Sequence, residues 1–299
     1  MIDVKGVSKN YRKKRAVDNL SLSVKKGSIY GLLGSNGAGK TSLMKMIAGI
    51  YRPLSGDITI DNQRIYENTS VKERVVFIAD MLYFFPQYTI AQCAAYYKRM
   101  YPNWSDERFT QLQKVFRLEV KQKVHRLSKG MKRQVAFWLA LSAMPDVLIL
   151  DEPIDGLDPV MRKKIKNLLF QEVADRELTV LISSHNLREI EDLCDYVGIM
   201  HQGKLMIERD LDDLKADIHK IQVAFKNPEE EHVVEGLDIL HKEKRGSVLL
   251  IIAKGSEHDI REQLQQGNLL LFDLLPLTLE EIFIFEMGDF GYEIENILL

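Results

Sequence analysis

Residues 34–41 carry a glycine-rich pattern whose spacing suits phosphate binding. The segment reads Gly-Ser-Asn-Gly-Ala-Gly-Lys-Thr, follows a short apolar run and precedes a predicted helix, and it matches G-x-x-x-x-G-K-[ST]. Glycines let backbone N–H groups turn toward phosphate oxygens, and the helix N-terminus adds partial positive charge. Lys40 would supply charge to the β- and γ-phosphates, Thr41 a hydroxyl to Mg²⁺, and Ser42 another phosphate contact. We predict nucleotide contacts from Ser35, Asn36, Gly37, Ala38, Gly39, Lys40, Thr41 and Ser42. An ordinary glycine turn is the alternative.

Two adjacent carboxylates follow another apolar run. Residues 147–150 read Val-Leu-Ile-Leu and predict a central strand of a parallel sheet. Asp151 and Glu152 stand at its carboxyl end, where open parallel sheets bind their ligands. We expect Asp151 to hold Mg²⁺ directly or through water, and Glu152 to orient or deprotonate the water that attacks a bound phosphate. A solvated strand end without function is the alternative.

The composition excludes several function classes. A length of 299 residues predicts about two domains, and 45% hydrophobic with 28% charged residues is ordinary for a soluble globular protein. The net charge of −2 lacks the basic footprint of a dedicated nucleic-acid binder. Only two cysteines, Cys93 and Cys194, occur. Two scattered cysteines form neither a disulfide framework nor a zinc site and favour a reducing compartment.

The sequence predicts neither a signal peptide nor a membrane-spanning segment. Residues 1–6 have no basic group leading into an apolar stretch. The best spanning candidate, 269–287, is interrupted by Asp273, Pro276, Glu280 and Glu281. If the protein works at a membrane, we expect a partner to supply the spans.

Strands and helices alternate in a pattern that predicts an α/β fold. The predicted strands cover 2–4, 20–24, 28–33, 57–60, 75–78, 147–150 and 179–182, and the helices between them cover 40–50 and 161–175. The basic run 12–15 is predicted as a solvated hairpin turn, with a phosphate- or lipid-contacting patch as the alternative. Residues 89–143 change to helical patterning, and Thr89 and Gln92 have the spacing of a capping box.

A further change of character near residue 215 predicts a second domain. Its predicted strands cover 221–225, 248–252 and 269–272, and its helices cover 257–266 and 278–287. We therefore predict an ATPase domain at 1–215 and an accessory α+β domain at 216–299.

Four more segments make residues 1–220 resemble the ATP-binding cassette (ABC) family. Residues 127–131, Leu-Ser-Lys-Gly-Met, resemble the family signature L-S-G-G-Q, and 155–158, Asp-Gly-Leu-Asp, resemble the D-loop. Residues 183–185, Ser-Ser-His, resemble the switch histidine that follows a strand, and Tyr11 resembles the aromatic residue that stacks on adenine. The resemblance is strong because these segments occur in the family's order.

The resemblance implies a phosphate-loop NTPase (RecA-like) core with an antiparallel β subdomain and a helical subdomain at about 88–145. It also implies a two-subunit sandwich in which the signature of one subunit faces the ATP bound by the other. The catalytic residues implied are Glu152, His185 and Lys40. Those implied to contact nucleotide beyond the phosphate loop are Tyr11, Val17, Ser128, Gly130 and Asp158.

The sequence departs from the family pattern at three places. Lys129 and Met131 replace a glycine and a glutamine of the signature, and Met131 removes one polar contact. Asp80 stands where the family has the Q-loop glutamine, although Gln87 is a rival candidate. A carboxylate at position 80 can reach Mg²⁺ or its water, and its charge is expected to raise the pKa of a neighbouring carboxylate. The implied metal ligands are Thr41, Asp80 and Asp151.

The region Asp80–Trp104 is rich in aromatic side chains. In the family this face receives a coupling helix from the membrane subunit, so we expect integral membrane transporter subunits to dock here. Packing inside the helical subdomain is the alternative. The aromatic residues are Tyr83, Phe84, Phe85, Tyr88, Tyr96, Tyr97, Tyr101 and Trp104.

Residues 277–283 resemble a segment near the C-terminus of bacterial cassettes that export drugs, antibiotics and peptides. We therefore predict an ATP-binding and ATP-hydrolysing subunit of a membrane ABC exporter, using ATP and Mg²⁺. We expect it on the cytoplasmic face of the membrane, paired with an identical or paralogous cassette and without nucleic acid. The alternatives are a soluble ABC ATPase of DNA repair or translation, and a cassette that binds ATP with little hydrolysis.

Overall fold

Six strands form the central sheet of the α/β core that the sequence predicts. The computed structural model describes residues 1–12, 14–186, 188, 191–278 and 281–282. The strands are β3 Ile29–Leu33, β6 Val75–Ile78, β7 Val147–Asp151, β8 Thr179–Ser184, β9 Tyr196–His201 and β10 Lys204–Asp210. Their order is β10-β9-β3-β8-β7-β6, and the pairs from β9 to β6 are parallel.

The inner strands of this sheet bring three chemically active segments to one edge. β3, β7 and β8 are buried along their whole length, as expected for apolar strands covered on both faces. Leu33 pairs with Ser184, and Asp151 pairs with Ser183. Because parallel strands end at the same edge, the segments after β3, β7 and β8 meet there.

A four-stranded antiparallel sheet packs beside this core. Its strands are β1 Ile2–Tyr11, β2 Lys14–Val24, β4 Ser55–Ile60 and β5 Gln63–Arg64, in the order β2-β1-β4-β5. Asp61 and Asn62 both have positive φ, at 48° and 62°, as the two-residue hairpin turn between β4 and β5 requires. Helix α1, Lys40–Ile47, ends three residues before the predicted position because Gly49 turns to a φ of 66°.

The predicted helical region is confirmed. Its helices are α3 Ile90–Met100, α4 Asp106–Phe116 and α5 Lys129–Ser142, and the core adds α2 Thr69–Lys72 and α6 Pro159–Arg176. Thr89 and Gln92 form the capping box of α3. Ser105 caps α4 and Ser128 caps α5 through their side-chain oxygens. Within the described ranges, no helix has both the length and the apolar character needed to cross a membrane.

The chain divides into two compact units, Met1–Glu208 and a second that begins at Arg209. The second unit contains α7 Leu211–Asp217, β11 Ile218–Phe225, β12 Asp238–Arg245, β13 Val248–Lys254, α8 Glu257–Leu264 and β14 Leu269–Leu275. Its antiparallel sheet has the order β12-β13-β11-β14. Thr278 and Glu281 exchange capping hydrogen bonds where the helix at 278–287 is predicted to begin, and most of that helix lies outside the described residues.

Candidate functional site

The loop between β3 and α1 has the backbone geometry of a phosphate cradle. Gly34, Gly37 and Gly39 have φ values of 149°, 86° and 111°. A Cβ atom would lie 2.3 Å from the Met200 carbonyl oxygen at Gly34 and 2.2 Å from the Ala16 carbonyl oxygen at Gly39. These close approaches explain why the motif needs glycine at the two positions. Helix α1 begins directly after the loop, so its N-terminus faces the cradle.

Lys40 directs a buried ammonium group into this loop. Its side chain is 5% exposed, and Nζ donates a hydrogen bond to the Gly34 carbonyl oxygen at 2.5 Å. Nζ also lies 3.3 Å from Glu152 Oε1. The structure therefore brings together the lysine and the carboxylate that the sequence assigns to the same chemistry.

Glu152 is held at several points. It follows β7 with a φ of 47°, an uncommon conformation for a side chain of this size. Its N–H donates to Ser183 Oγ at 3.0 Å, and the Ser183 hydroxyl donates to Asp151 Oδ1 at 2.8 Å. Its Oε2 lies 2.9 Å from His185 Nδ1. Oε1 is buried and accepts no hydrogen bond from any described residue, and the Lys40 ammonium lies 3.3 Å from it.

One open pocket of about 320 Å³ gathers most of the predicted nucleotide contacts. Its predicted lining residues are Tyr11, Ser35, Asn36, Gly37, Ala38, Gly39, Lys40, Thr41, Ser42, Asp80 and Glu152. Lys14 and Ala16 also line it, and neither belongs to a motif predicted to bind nucleotide. Lys14 belongs to the basic run 12–15, so its charge could have marked it in the sequence. Its place at the pocket supports the alternative in which this run contacts phosphate.

Two predicted residues lie beneath the pocket instead of lining it. Val17 is fully buried in the hydrophobic core, because the alternation of β2 points its side chain inward and leaves Ala16 at the pocket. Asp151 is almost fully buried and accepts the hydrogen bond from Ser183. Its position suits a carboxylate that acts on a metal through water more than one open to the pocket.

Tyr11 lines the same pocket as the phosphate loop and Glu152. Its ring is 42% exposed and meets Tyr51 edge to face, with ring centroids 6.2 Å apart. The Lys9 ammonium lies 6.0 Å from the Tyr11 ring centroid. A half-exposed aromatic face next to the phosphate loop suits the stacking of a base.

The two candidates for the Q-loop position separate in space. Asp80 lines the pocket, and its Oδ1 accepts a hydrogen bond from Nη2 of Arg133 at 3.3 Å. Gln87 is exposed and accepts from Lys123 at 3.2 Å. The pocket therefore contains the carboxylate and not the amide. Arg133 was missed by sequence reasoning, because an arginine inside a helix carries no signal of being buried.

The signature segment contacts the D-loop of the same chain. The Ser128 Oγ accepts from Met131 N–H at 3.2 Å, and Lys129 Nζ donates to Asp155 Oδ2 at 2.9 Å. A Cβ atom at Gly130 would lie 3.1 Å from the Gly156 carbonyl oxygen, so the two segments are close-packed. The hydrogen bond from Lys129 lowers the pKa of Asp155. Neither Ser128 nor Gly130 lines the pocket, which agrees with a role toward another subunit.

Asp158 also has a local structural role as the N-cap of α6. Its Oδ1 accepts from Met161 N–H at 2.9 Å and caps α6, where Pro159 occupies the first turn. One carboxylate oxygen is therefore committed to the helix. Its predicted contact with nucleotide remains a prediction.

The donor set fits a magnesium ion shared with a nucleotide. In the described part of the chain, no group of three or more His, Cys, Asp or Glu residues could hold a metal by itself. Mg²⁺ commonly takes one or two protein ligands and completes its shell with phosphates and water. Thr41 and Asp80 both line the pocket beside Lys40, and Asp151 lies below.

The aromatic region after Asp80 is divided between surface and core. Met81 and Tyr83 are 88% and 81% exposed, and Phe85 packs on Tyr88 with ring centroids 4.7 Å apart. Tyr101 packs on Tyr97, and burial raises the pKa of both phenols. The surface end is therefore the part available to a partner.

Comparisons with known proteins agree with this geometry. The family model described as ABC transporter matches residues 17–155. The chain is 31% identical over 288 residues to the ABC transporter ATP-binding protein YtrB of Bacillus subtilis (strain 168), covering 96% of this chain and 98% of that protein. It is 36% identical over 218 residues to the bacitracin transport ATP-binding protein BcrA of Bacillus licheniformis, covering 72% and 71%. A solved ATP-binding subunit of an ABC transporter is 26% identical with a TM-score of 0.67, covering 72% of this chain and 92% of that one.

Proposed function

Because this chain belongs to the family of ABC transporter ATP-binding subunits, we propose that it hydrolyses ATP with Mg²⁺ to drive export through separate membrane subunits. The observation that carries the proposal is the meeting of Lys40, Glu152 and His185 at one sheet edge, with Lys40 3.3 Å and His185 2.9 Å from the two Glu152 oxygens. Such a set can bind phosphate and activate water.

The lysine has two competing anionic partners in this scheme. Lys40 now faces Glu152, and the β- and γ-phosphates of ATP would draw its ammonium toward the glycine cradle. Glu152 would then accept a proton from the attacking water through Oε1, while His185 holds Oε2. The backbone N–H of Glu152 remains tied to Ser183, which keeps the carboxylate at the edge of the sheet.

Mg²⁺, when bound, would neutralise charge on the β- and γ-phosphates. Thr41 and Asp80 would hold the ion from the wall of the pocket, and the buried Asp151 would act on it through water. Tyr11 would stack on the adenine ring.

A second cassette completes the site in our proposal. Ser128 and Gly130 stand at the N-terminus of α5, where a hydroxyl, N–H groups and the helix dipole favour an anion. These residues do not line the pocket of their own chain. In the dimer, Ser128 and Gly130 would face the γ-phosphate of the ATP bound by the second cassette, which is identical or paralogous. Dimerisation would therefore depend on ATP.

The membrane partner would dock on the surface end of the aromatic region. Met81 and Tyr83 expose most of their side chains, a contact area that suits an apolar helix. Export of antibiotics, peptides or other amphipathic compounds is the transport proposed, because BcrA is a bacitracin transport protein. We place the chain on the cytoplasmic face of the membrane.

The test combines ATP turnover with solution mass. We expect Mg²⁺-dependent phosphate release by the wild-type chain with its membrane partners. We expect purified Glu152→Gln to change from monomer to dimer when ATP and Mg²⁺ are added. ATP binding without phosphate release, even with the partners, would indicate instead a cassette that binds ATP without turnover. A monomer under all conditions would contradict a homodimeric sandwich.

A further inference from the structure

Arg133 carries a buried charge that the proposed hydrolysis does not use. Its side chain is 1% exposed, and its Nη2 donates to Asp80 Oδ1 at 3.3 Å. Nε and Nη1 have no hydrogen-bond partner among the residues described. A guanidinium removed from water needs a counter-charge. Asp80 is the carboxylate that contacts it.

Asp80 connects this buried arginine to the phosphate pocket. It follows β6, lines the pocket with Lys40 and Glu152, and keeps 49% of its side chain exposed. The ion pair therefore joins the buried guanidinium of Arg133 to a carboxylate at the pocket wall. Because charges attract more strongly where water is excluded, a buried partner orients this carboxylate better than an exposed lysine would.

The same helix holds a second loop carboxylate near the site. Lys129 lies one turn before Arg133 on α5 and donates to Asp155. The hydrogen bond from Lys129 lowers the pKa of Asp155, and the charges of Lys129 and then of Arg133 lower it further. The helix that begins at Ser128 thus presents two cations, four residues apart, to two segments that follow β6 and β7.

We propose that Arg133 is a positioning residue that holds Asp80 at the pocket wall and offsets its negative charge beside Glu152. Arg133 thereby sets how strongly ATP binding depends on Mg²⁺. The inference rests on the proposed function, since it takes this pocket as the ATP–Mg²⁺ site. Without Arg133, the Asp80 carboxylate would face the phosphates uncompensated, and Mg²⁺ would be needed more to reduce the repulsion.

The experiment measures affinity for a fluorescent ATP analogue on the full chain, once with excess EDTA and once with millimolar Mg²⁺. The readout is the dissociation constant with EDTA divided by the dissociation constant with Mg²⁺. This ratio can be measured without ATP turnover. Arg133→Met is expected to raise this ratio about threefold or more, the effect of one charge close to the phosphates. Arg133→Lys should stay near wild type. Asp80→Asn should lower the ratio, and the double variant should match Asp80→Asn, because Arg133 then has no carboxylate to hold or offset.

Lys132→Met is the matched control, because it removes one positive charge from the same helix without a contact to Asp80. An unchanged ratio in both Arg133→Met and Asp80→Asn would overturn the inference, and so would simple additivity in the double variant. Thermal unfolding checks whether Arg133→Met still folds. Asp80→Asn tests the same ion pair from its half-exposed partner, where the change disturbs packing less. A wild-type chain that binds ATP equally with and without Mg²⁺ would overturn the proposed function as well. Mg²⁺-dependent wild-type binding with unchanged variants would overturn this inference alone.

Discussion

The Lys40 ammonium lies 3.3 Å from Oε1 of Glu152, so the lysine proposed to bind phosphate and the proposed base form an ion pair. Both side chains are mostly shielded from water, where such a pair attracts more strongly than at the surface. In the proposed function, ATP competes with Glu152 for the lysine, so its binding would release the carboxylate for catalysis.

Glu152→Gln is expected to abolish hydrolysis while keeping or tightening ATP binding. The amide cannot accept the proton of water, so phosphate release should fall about 10²- to 10⁴-fold. Because the amide also carries no charge, Lys40 is released toward the phosphates. Steady-state phosphate release and ATP-binding titrations on the same preparation measure the two effects.

Glu177→Gln is the control for this change. Glu177 ends α6 and pairs with Lys26 at the surface, away from the residues of the pocket. It should leave turnover near the wild-type rate. Wild-type turnover in Glu152→Gln would remove Glu152 from the role of base.

Tyr11→Ala is expected to weaken ATP binding about fivefold, the lower end of what base stacking contributes, because the ring is half exposed. Tyr11→Phe keeps the aromatic face and should bind nearly as well as wild type. Binding of inorganic triphosphate, which has no base to stack, should not distinguish the two variants. Equal ATP affinity in Tyr11→Ala and wild type would show that the ring does not contact the base.

Residue types and spacing predict those parts of the site that depend on local geometry. The phosphate loop and the strand before Asp151 are each specified within about ten residues of sequence, and the structure has both. Arg133 could not be predicted in this way. Its burial depends on how α5 packs near the end of β6, more than fifty residues earlier in the chain.

Strand alternation shows the same limit on a smaller scale. Val17 and Ala16 are neighbours in sequence, and only the register of β2 decides that Val17 enters the core while Ala16 lines the pocket. β12 was not predicted at all. Its sequence is mostly charged and lacks the apolar alternation of a strand, and its pairing with β13 forms it.

Glu172 of α6 joins the helical region to the core, and Glu172→Gln is expected to destabilise the chain by about 3 kcal/mol. The buried carboxylate accepts from Arg108 of α4, with Nε at 2.9 Å, and from Arg176. Neutralising it leaves two guanidinium groups with reduced charge compensation. Urea unfolding measures the change. Glu107→Gln, an exposed change on α4, should alter stability little. Equal stability of the two variants would contradict a structural role for the contacts of Glu172 with Arg108 and Arg176.

Both cysteines are expected to resist alkylation in the native protein. Burial raises the pKa of Cys93 to about 11 and raises the pKa of Cys194 further. At pH 8 only about one Cys93 thiol in a thousand would be the reactive thiolate. Iodoacetamide labelling followed by mass spectrometry should show little modification until guanidinium is added. Met81→Cys places a thiol at a highly exposed position and should label at once; rapid native labelling of Cys93 would contradict its burial.

Ser128→Ala, introduced into Glu152→Gln, is expected to weaken the ATP-dependent dimer while leaving ATP binding to the monomer unchanged. The Ser128 hydroxyl does not line its own pocket, so its loss should affect the sandwich only where the helix end meets the second nucleotide. Loss of an N-cap also lowers stability by about 1 kcal/mol. Ser105→Ala controls for that loss, because Ser105 caps α4 in the same way through Arg108 N–H. Solution mass with ATP and Mg²⁺ should show a dimer for Ser105→Ala and mainly monomer for Ser128→Ala. Equal dimer fractions would mean that the signature serine only caps α5.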